Sequence, residues 1–321
     1  MSFSKQLLIW ILGIVTALVV TTLPTLATSS LTQEEIDLVA AQTTVVIAQG
    51  LERGVIEAGM EWNPGSGVLV SRNGNTYYAL TNVHVVRTRG VVYGARTSDG
   101  NVHIIDDTDT RNNIILFGKE KGKLGAQSIE GYDFAIVEFK SDRDYPVVAM
   151  GDSSQLRSGD KVFVSGWPNP DDGNPKRHRK LSNGVVSEIV NPPSVDGGYS
   201  ILYNNWTRRG MSGGPVFNAN AELVGIHGRG AGTQNNCSPN TEMNSKNSCG
   251  IRVIHFITQA EAAQINLAFK SPPVEPSAIL SGKRNRRTAN VIPNIYKIFT
   301  SLESRIRDCP TGVLIDQPGC E

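Results

Sequence analysis

The sequence predicts an all-β protein, an antiparallel barrel or sandwich built from short strands. Three observations predict it. Glycine is abundant, 32 of 321 residues, while aromatics make up only 7%, a composition suited to many tight turns. Apolar runs of about four to eight residues recur between Gly, Asn, Asp or Pro over roughly 200 residues of chain. The stretch SRNGN at 71–75 reads as a hairpin turn between two of those runs.

The N-terminus stands apart. Lys5 precedes an uncharged run from Leu7 to Val20, and Pro24-Thr25-Leu26-Ala27 follows. A basic residue, an apolar stretch and small residues at a cleavage site describe a secretory signal peptide, residues 1–27, cut after Ala27. An uncleaved anchor is the alternative, because the run approaches the ~17–20 apolar residues that span a bilayer. On either reading the bulk of the chain is exported, to the periplasm or the medium. Residues 28–44 form an N-terminal helical segment. Thr32 and Glu35 have capping-box spacing, and Ile36, Val39 and Ala40 share one face of a helix from Thr32 to about Gln42.

The strand runs follow in order: TTVVI, SGVLVS, YYALTNVHVV, IILFG, FAIVEF, KVFVSGW, NGVVSEIV, YSILYNN, GPVF, ELVGIHG and GIRVIHF. A closing helix is predicted over Ile257–Ala268. SPPVEP at 271–276 has a linker composition and opens a tail, residues 271–321. That tail carries a basic cluster, Lys283 to Arg287, read as a solvated turn.

Charge excludes some function classes. The formal net charge is +1, which gives no basis for nucleic-acid binding or for an anionic membrane surface. The four cysteines fall in two local pairs, Cys237 with Cys249 and Cys309 with Cys320. An even count in an exported chain suggests two short-loop disulfides. Neither pair has C-x-x-C spacing or a histidine at ligand spacing, so no metal is assigned and no cofactor is expected. The loop at 232–248 is rich in Asn and Ser, which suits a flexible loop or a carbonyl-rich ion site.

Three segments carry chemistry. In RRGMSGGPVF, Ser212 sits among Gly210, Gly213 and Gly214, where the backbone can take conformations that a Cβ forbids. The N–H groups of Gly210 and Ser212 can then point into one small hole, and Ser212 is the candidate nucleophile. His84 lies at the end of the run ALTNVHVV, and Asp133 lies where a loop enters FAIVEF. Taken singly, each is an ordinary packed histidine or turn aspartate. Together they stand in the chain order His, Asp, Ser.

On these segments the chain resembles the trypsin/chymotrypsin-like serine proteases over roughly residues 40–260. TNVHVV, YDFAIV and GMSGGPVF are similar to that family's three catalytic motifs. VSGWP and LSNGVVS are similar to strands of its bacterial branch, which includes the high-temperature-requirement proteases. The resemblance implies two perpendicular antiparallel β-barrels, residues 45–150 and 151–270, the second with its closing helix, and a site in the cleft between them. It implies that His84 is the general base, that Asp133 orients it, that Ser212 is the nucleophile, and that Gly210 and Ser212 donate to the oxyanion. Polypeptides are the implied substrates, and a catalytically silent binding protein on the same fold is the alternative. Met211 occupies the position where the digestive branch keeps an activating aspartate, so activation by an N-terminal ion pair is not expected. The tail is too short for the PDZ module of the high-temperature-requirement proteases.

The specificity pocket follows from the same resemblance. The motif pattern is nearest to the glutamyl endopeptidases, which place a histidine at the position of His227 and a threonine at the position of Thr207. In that branch the pair contacts the carboxylate of a P1 glutamate. Gly228 and Arg229 continue the same wall, and Arg208, Arg209 and Arg229 raise the local positive potential. Trp206 stands where trypsin keeps its aspartate, which speaks against a basic P1 residue.

Overall fold

The computed structural model describes residues 30–49, 64–88, 90–106, 113–121, 128–170, 177–232, 237 and 246–271. The predicted signal segment, the basic cluster at 283–287, Cys309 and Cys320 lie outside the described residues. The described chain is mostly β, in two antiparallel units flanked by two helices.

Helix α1 spans Gln33–Thr43 and starts as its sequence dictates. Thr32 is the N-cap, its hydroxyl accepts from Glu35 N, and the Glu35 carboxylate accepts from Thr32 N. Two otherwise orphaned helix-start donors are thereby satisfied. Ile36 and Ala40 are fully buried beneath it, and Val39 packs at the margin.

The first unit is a seven-stranded sheet. Its strands are β1 (Thr44–Gln49), β2 (Gly65–Asn73), β3 (Thr76–Thr81), β4 (Val92–Arg96), β5 (Val102–Asp106), β6 (Ile114–Glu120) and β7 (Ile129–Lys140). The spatial order is β5-β4-β1-β2-β3-β7-β6, a half-barrel with β5 and β6 at its edges. The SRNGN stretch makes the β2–β3 hairpin, with Asn73 opposite Thr76 and Gly74 at a left-handed φ of 61°. The sheet alternates between two cores. Ala135, Val137 and Phe139 of β7 face an interior shared with Val45, Leu69, Tyr77 and Tyr93. Phe134 and Ile136 face the other way, toward α1 and the second unit.

The second unit is a closed six-stranded barrel. Its strands are β8 (Lys161–Gly166), β9 (Lys180–Ile189), β10 (Ile201–Tyr203), β11 (Pro215–Phe217), β12 (Leu223–Arg229) and β13 (Ser248–Arg252), in the order β10-β13-β12-β11-β8-β9. Val162, Val164, Val186, Ile201, Tyr203, Met211, Val216 and Val224 fill it. The Cys237–Cys249 disulfide ties the long loop between β12 and β13 back to β13.

Three expectations change. β4 and β5 are strands that the apolar runs did not announce. The run GIRVIHF is divided: β13 ends at Arg252 and helix α2 (Val253–Ala262) begins at once. The closing helix therefore starts four residues before Ile257 and stops six before Ala268, where Gln264 turns left-handed at a φ of 56°. The physical reason is packing. Val253, Phe256 and Ala260 form one buried helical face, while Phe269 and Lys270 bridge to Ser71 and Ala149 of the preceding chain. Among the described residues no helix is long and apolar enough to cross a membrane.

Candidate active site

The nucleophile candidate is presented by a turn that only glycine permits. Gly210 and Gly213 have φ of 94° and 85°, a region costly for residues with a Cβ. A Cβ at Gly213 would collide with the Ser66 carbonyl and the Thr81 hydroxyl, so the turn lies directly on β2 and β3. The turn is pinned by Met211 N donating to Arg208 O (3.0 Å), Gly214 N to Met211 O (2.9 Å) and Gly213 N to His227 O (2.8 Å). Met211 itself points into the barrel core and abuts Gly166, which explains an apolar residue before the serine. The first unit holds the turn from the other side. Ser66 N donates to Ser212 O (2.7 Å), and the Ser66 hydroxyl donates to Gly210 O (2.8 Å) while accepting from Trp167 N (2.9 Å). Among the described residues, the N–H groups of Gly210 and Ser212 have no acceptor, which leaves two backbone donors available at one place.

His84 is not at the end of a strand. β3 stops at Thr81, and residues 82–86 form a turn with Val85 N donating to Asn82 O (3.2 Å) and Val86 N to Val83 O (3.1 Å). Strand pairing explains its place. Thr81 lies opposite Ala135, so the turn following β3 falls beside the residues preceding Ala135, which include Asp133. β7 itself starts earlier than the apolar run suggests, at Ile129, with Gly131 at a φ of 84°. The Asn82 side chain closes the junction by donating to Asp133 O (2.7 Å).

The Asp133 carboxylate is fully buried and receives three side-chain or backbone donors. His84 N donates to Oδ1 (3.1 Å), His84 Nδ1 lies 2.7 Å from Oδ2, and the Tyr199 hydroxyl donates to Oδ2 (2.6 Å). Burial alone would raise its pKa. The His84 charge and the hydrogen bonds from His84 and Tyr199 outweigh burial and hold it below the usual carboxylate value. The bond to Oδ2 also fixes the His84 tautomer, with the proton on Nδ1 and the lone pair on Nε2. Gly65 links the two halves: a Cβ there would meet both the Val85 side chain and the Ser212 carbonyl. His84 and the Ser212 turn thus flank the same backbone. The Ser212 hydroxyl donates to Gly228 O (3.0 Å).

The pocket candidates are brought to the same barrel wall. Thr207 Oγ1 and Ser248 Oγ are 2.6 Å apart. His227 is only 1% exposed. Its Nδ1 lies 2.7 Å from the Tyr203 hydroxyl, and its ring also hydrogen-bonds the Cys249 backbone. Burial, assisted by the nearby His84 charge, lowers its pKa to about 3 despite that backbone bond, so the ring is neutral. Arg229 does not stand free: it pairs with Asp196 (2.8 and 3.0 Å) and stacks over Tyr199, 4.5 Å from the ring centroid. Gly228 lies flat against the same ring. Sequence reasoning missed Tyr199, Tyr203, Asp196 and Ser248. The first two read there as ordinary strand residues, and nothing local distinguishes the others.

Comparison with known proteins follows the same motifs. The family model described as a trypsin-like peptidase domain matches residues 65–226. The chain is 28% identical over 173 residues to the serine protease Do-like HtrA of Bacillus subtilis, covering 52% of this chain and 33% of that protein. It is also 28% identical over 174 residues to a probable periplasmic serine endoprotease DegP-like of a Marinomonas species, covering 53% and 30%. The matched region spans about a third of the length of these curated relatives. A solved HtrA-type protease with a tripeptide has a TM-score of 0.49 at 20% identity, over 74% of this chain and 64% of that one.

Proposed function

The chain belongs to the trypsin-like peptidase domain family, and from that premise we propose that it is an exported serine endopeptidase acting through an acyl-enzyme. One observation carries the reading: His84 is tied through both its backbone N and its Nδ1 to a buried carboxylate, beside a glycine turn that offers Ser212 and two unpaired N–H groups. In this reading His84 Nε2 takes the Ser212 proton as Oγ attacks the scissile carbonyl. Asp133 orients the ring and stabilises the imidazolium that forms. The N–H groups of Gly210 and Ser212 receive the oxyanion, whose charge is largest in the transition state. The imidazolium then protonates the leaving amine, and water repeats the sequence in reverse to free the acid. Before attack, the Ser212 hydroxyl must leave the Gly228 carbonyl. Export is supported by the N-terminal segment and by the word periplasmic in the name of the Marinomonas relative.

The finer proposal is an acidic P1 residue, received by Thr207 and His227 on the wall continued by Gly228 and Arg229. A hydroxyl and an imidazole N–H can bind a carboxylate without burying a permanent cation. A second reading is favoured by the geometry of His227, whose ring is neutral, buried and engaged with Tyr203 and Cys249. There His227 is a wall residue, and P1 is chosen by the Thr207–Ser248 hydroxyl pair.

Exposing the full exported chain to a diverse peptide mixture, with mass spectrometry reading the residue before each cut, tests both levels. Cuts absent with Ser212→Ala support the endopeptidase. Cuts after Glu or Asp that weaken with His227→Ala support the acidic pocket, and cuts after other residues support the second reading. No cuts from folded protein would favour a silent cleft.

A further inference from the structure

The buried carboxylate is held by more than the histidine it faces. Asp133 Oδ2 carries two bonds, one from His84 Nδ1 and a slightly shorter one from the Tyr199 hydroxyl. Tyr199 is fully buried, and its ring is clamped on two sides. The Arg229 guanidinium stacks on it, and Gly228 lies so close that a Cβ there would collide with the ring.

The segment that delivers Tyr199 is stitched to the strand of Asp133. Asp133 N donates to Gly197 O (2.9 Å), Gly197 N to Ile129 O (2.8 Å), and Ile129 N to Asp196 Oδ1 (2.7 Å). Asp196 in turn holds Arg229 through both carboxylate oxygens. The chain of contacts is closed: Asp196 fixes Arg229, Arg229 fixes the Tyr199 ring, and the Tyr199 hydroxyl meets the carboxylate of Asp133, whose backbone N–H the Gly197 carbonyl already holds.

We propose that Tyr199 is a positioning residue for the His84–Asp133 pair, fixing the carboxylate by a phenol hydrogen bond while the Arg229–Asp196 pair holds its ring in place. The inference rests on the proposed roles of His84 and Asp133. Arg229, expected from sequence to continue the pocket wall, also stands one step behind the carboxylate through its contacts with Asp196 and Tyr199. Burial and the Asp133 charge raise the Tyr199 pKa well above the usual phenol value, against the opposing pull of Arg229. The phenol therefore remains a donor at every working pH. The charged and titratable groups facing the cluster are His84, His227, Arg229 and Asp196.

Tyr199→Phe keeps the ring and its arginine and removes only the donor. A carboxylate that loses a donor is a stronger base toward the imidazole, so the His84 ring should titrate at higher pH in the variant. The expected result is a kcat about tenfold lower with KM within about twofold, the size of one hydrogen bond to a charged group. The acid limb of kcat/KM should move up by about half a pH unit or more. An NMR titration of His84 in Ser212→Ala, with and without Tyr199→Phe, reads the same shift without turnover. An unchanged His84 titration overturns the inference whether or not the protein cleaves peptides, and inert wild-type protein whose titration does shift would instead sink only the catalytic reading. Should Tyr199→Phe fail to fold, 3,5-difluorotyrosine at position 199 is a stronger donor and must move the titration down; no movement would again overturn the inference.

Discussion

At the scale of single residues, the site is a study in how burial sets protonation. His227 and Asp133 are both buried, yet burial acts on them with different outcomes. Nothing compensates the His227 ring enough, and its pKa falls to about 3. Asp133 is compensated by three donors and stays ionised below its usual value. The linkage has a definite sign. An unfolded chain binds a proton on His227 below about pH 6.5, whereas the folded ring resists it until about 3. The stability that neutral His227 supports is thus complete above pH 6.5 and is lost as pH falls toward 3, at up to ~1.4 kcal/mol per pH unit for one group. His227→Gln should therefore lose less stability than wild type between pH 7 and pH 4.5, read as the difference in urea midpoints. Equal losses in both proteins would show that His227 is not the titrating group. The residues named from the motifs were legible because glycines flank Ser212 and because three polar residues stood in a meaningful order. Tyr199 was not legible: its partner is 66 positions away in the chain, and only the fold brings the two together.

At the scale of elements, the Ser212 turn depends on a strand that belongs to the other unit. Ser66 on β2 satisfies Gly210 O and Trp167 N through one hydroxyl. Removing it leaves two buried backbone groups short of a partner, at a cost of about 1–3 kcal/mol for such groups. Ser66→Ala should lower the rate of Ser212 acylation as well as the unfolding free energy, because the lost bond anchors the Gly210–Met211 peptide, which lies between the two peptides whose N–H groups are proposed to receive the oxyanion. Urea unfolding together with single-turnover acylation checks this. A variant that loses stability but acylates at the wild-type rate would show that Ser66 serves the fold alone. Local signals were reliable for elements defined by local chemistry. The Thr32–Glu35 capping box and the Asn73-Gly74 turn both formed as expected. Elements defined by packing were less legible. In β4, Gly94 interrupts the apolar pattern, and in β5, Ile104 is half exposed at the sheet edge. The segment after Arg252 carries enough Val, Ile and Phe to pass for strand, but its 253-256-260 spacing seals a helical face against the core.

At the scale of the whole molecule, the site exists only because the two β units meet. The half-barrel supplies His84 and Asp133, the closed barrel supplies Ser212 and the proposed pocket wall, and Phe134, Ile136, Leu80 and Val68 of the first unit share one core with Leu223 and Ile226 of the second and Phe256 of α2. The extended segment after α2 reinforces the joint: Ser71 donates to Ala268 O (2.8 Å) and Met150 N to Lys270 O (3.0 Å). An all-β barrel or sandwich was legible from strand rhythm and turn residues, whereas the division into two β units was implied only by the family resemblance. The open edges of the first sheet were not, since closure depends on where β5 and β6 end in space rather than on their composition. The central claim is that these two units assemble a nucleophilic serine. Reaction of the full chain with a fluorophosphonate, followed by mass mapping of the adduct, tests it most directly. The account predicts one adduct per chain at Ser212, lost in Ser212→Ala and slowed in His84→Ala. Folded wild-type protein that stays unlabelled, or that is labelled at another residue, would contradict it.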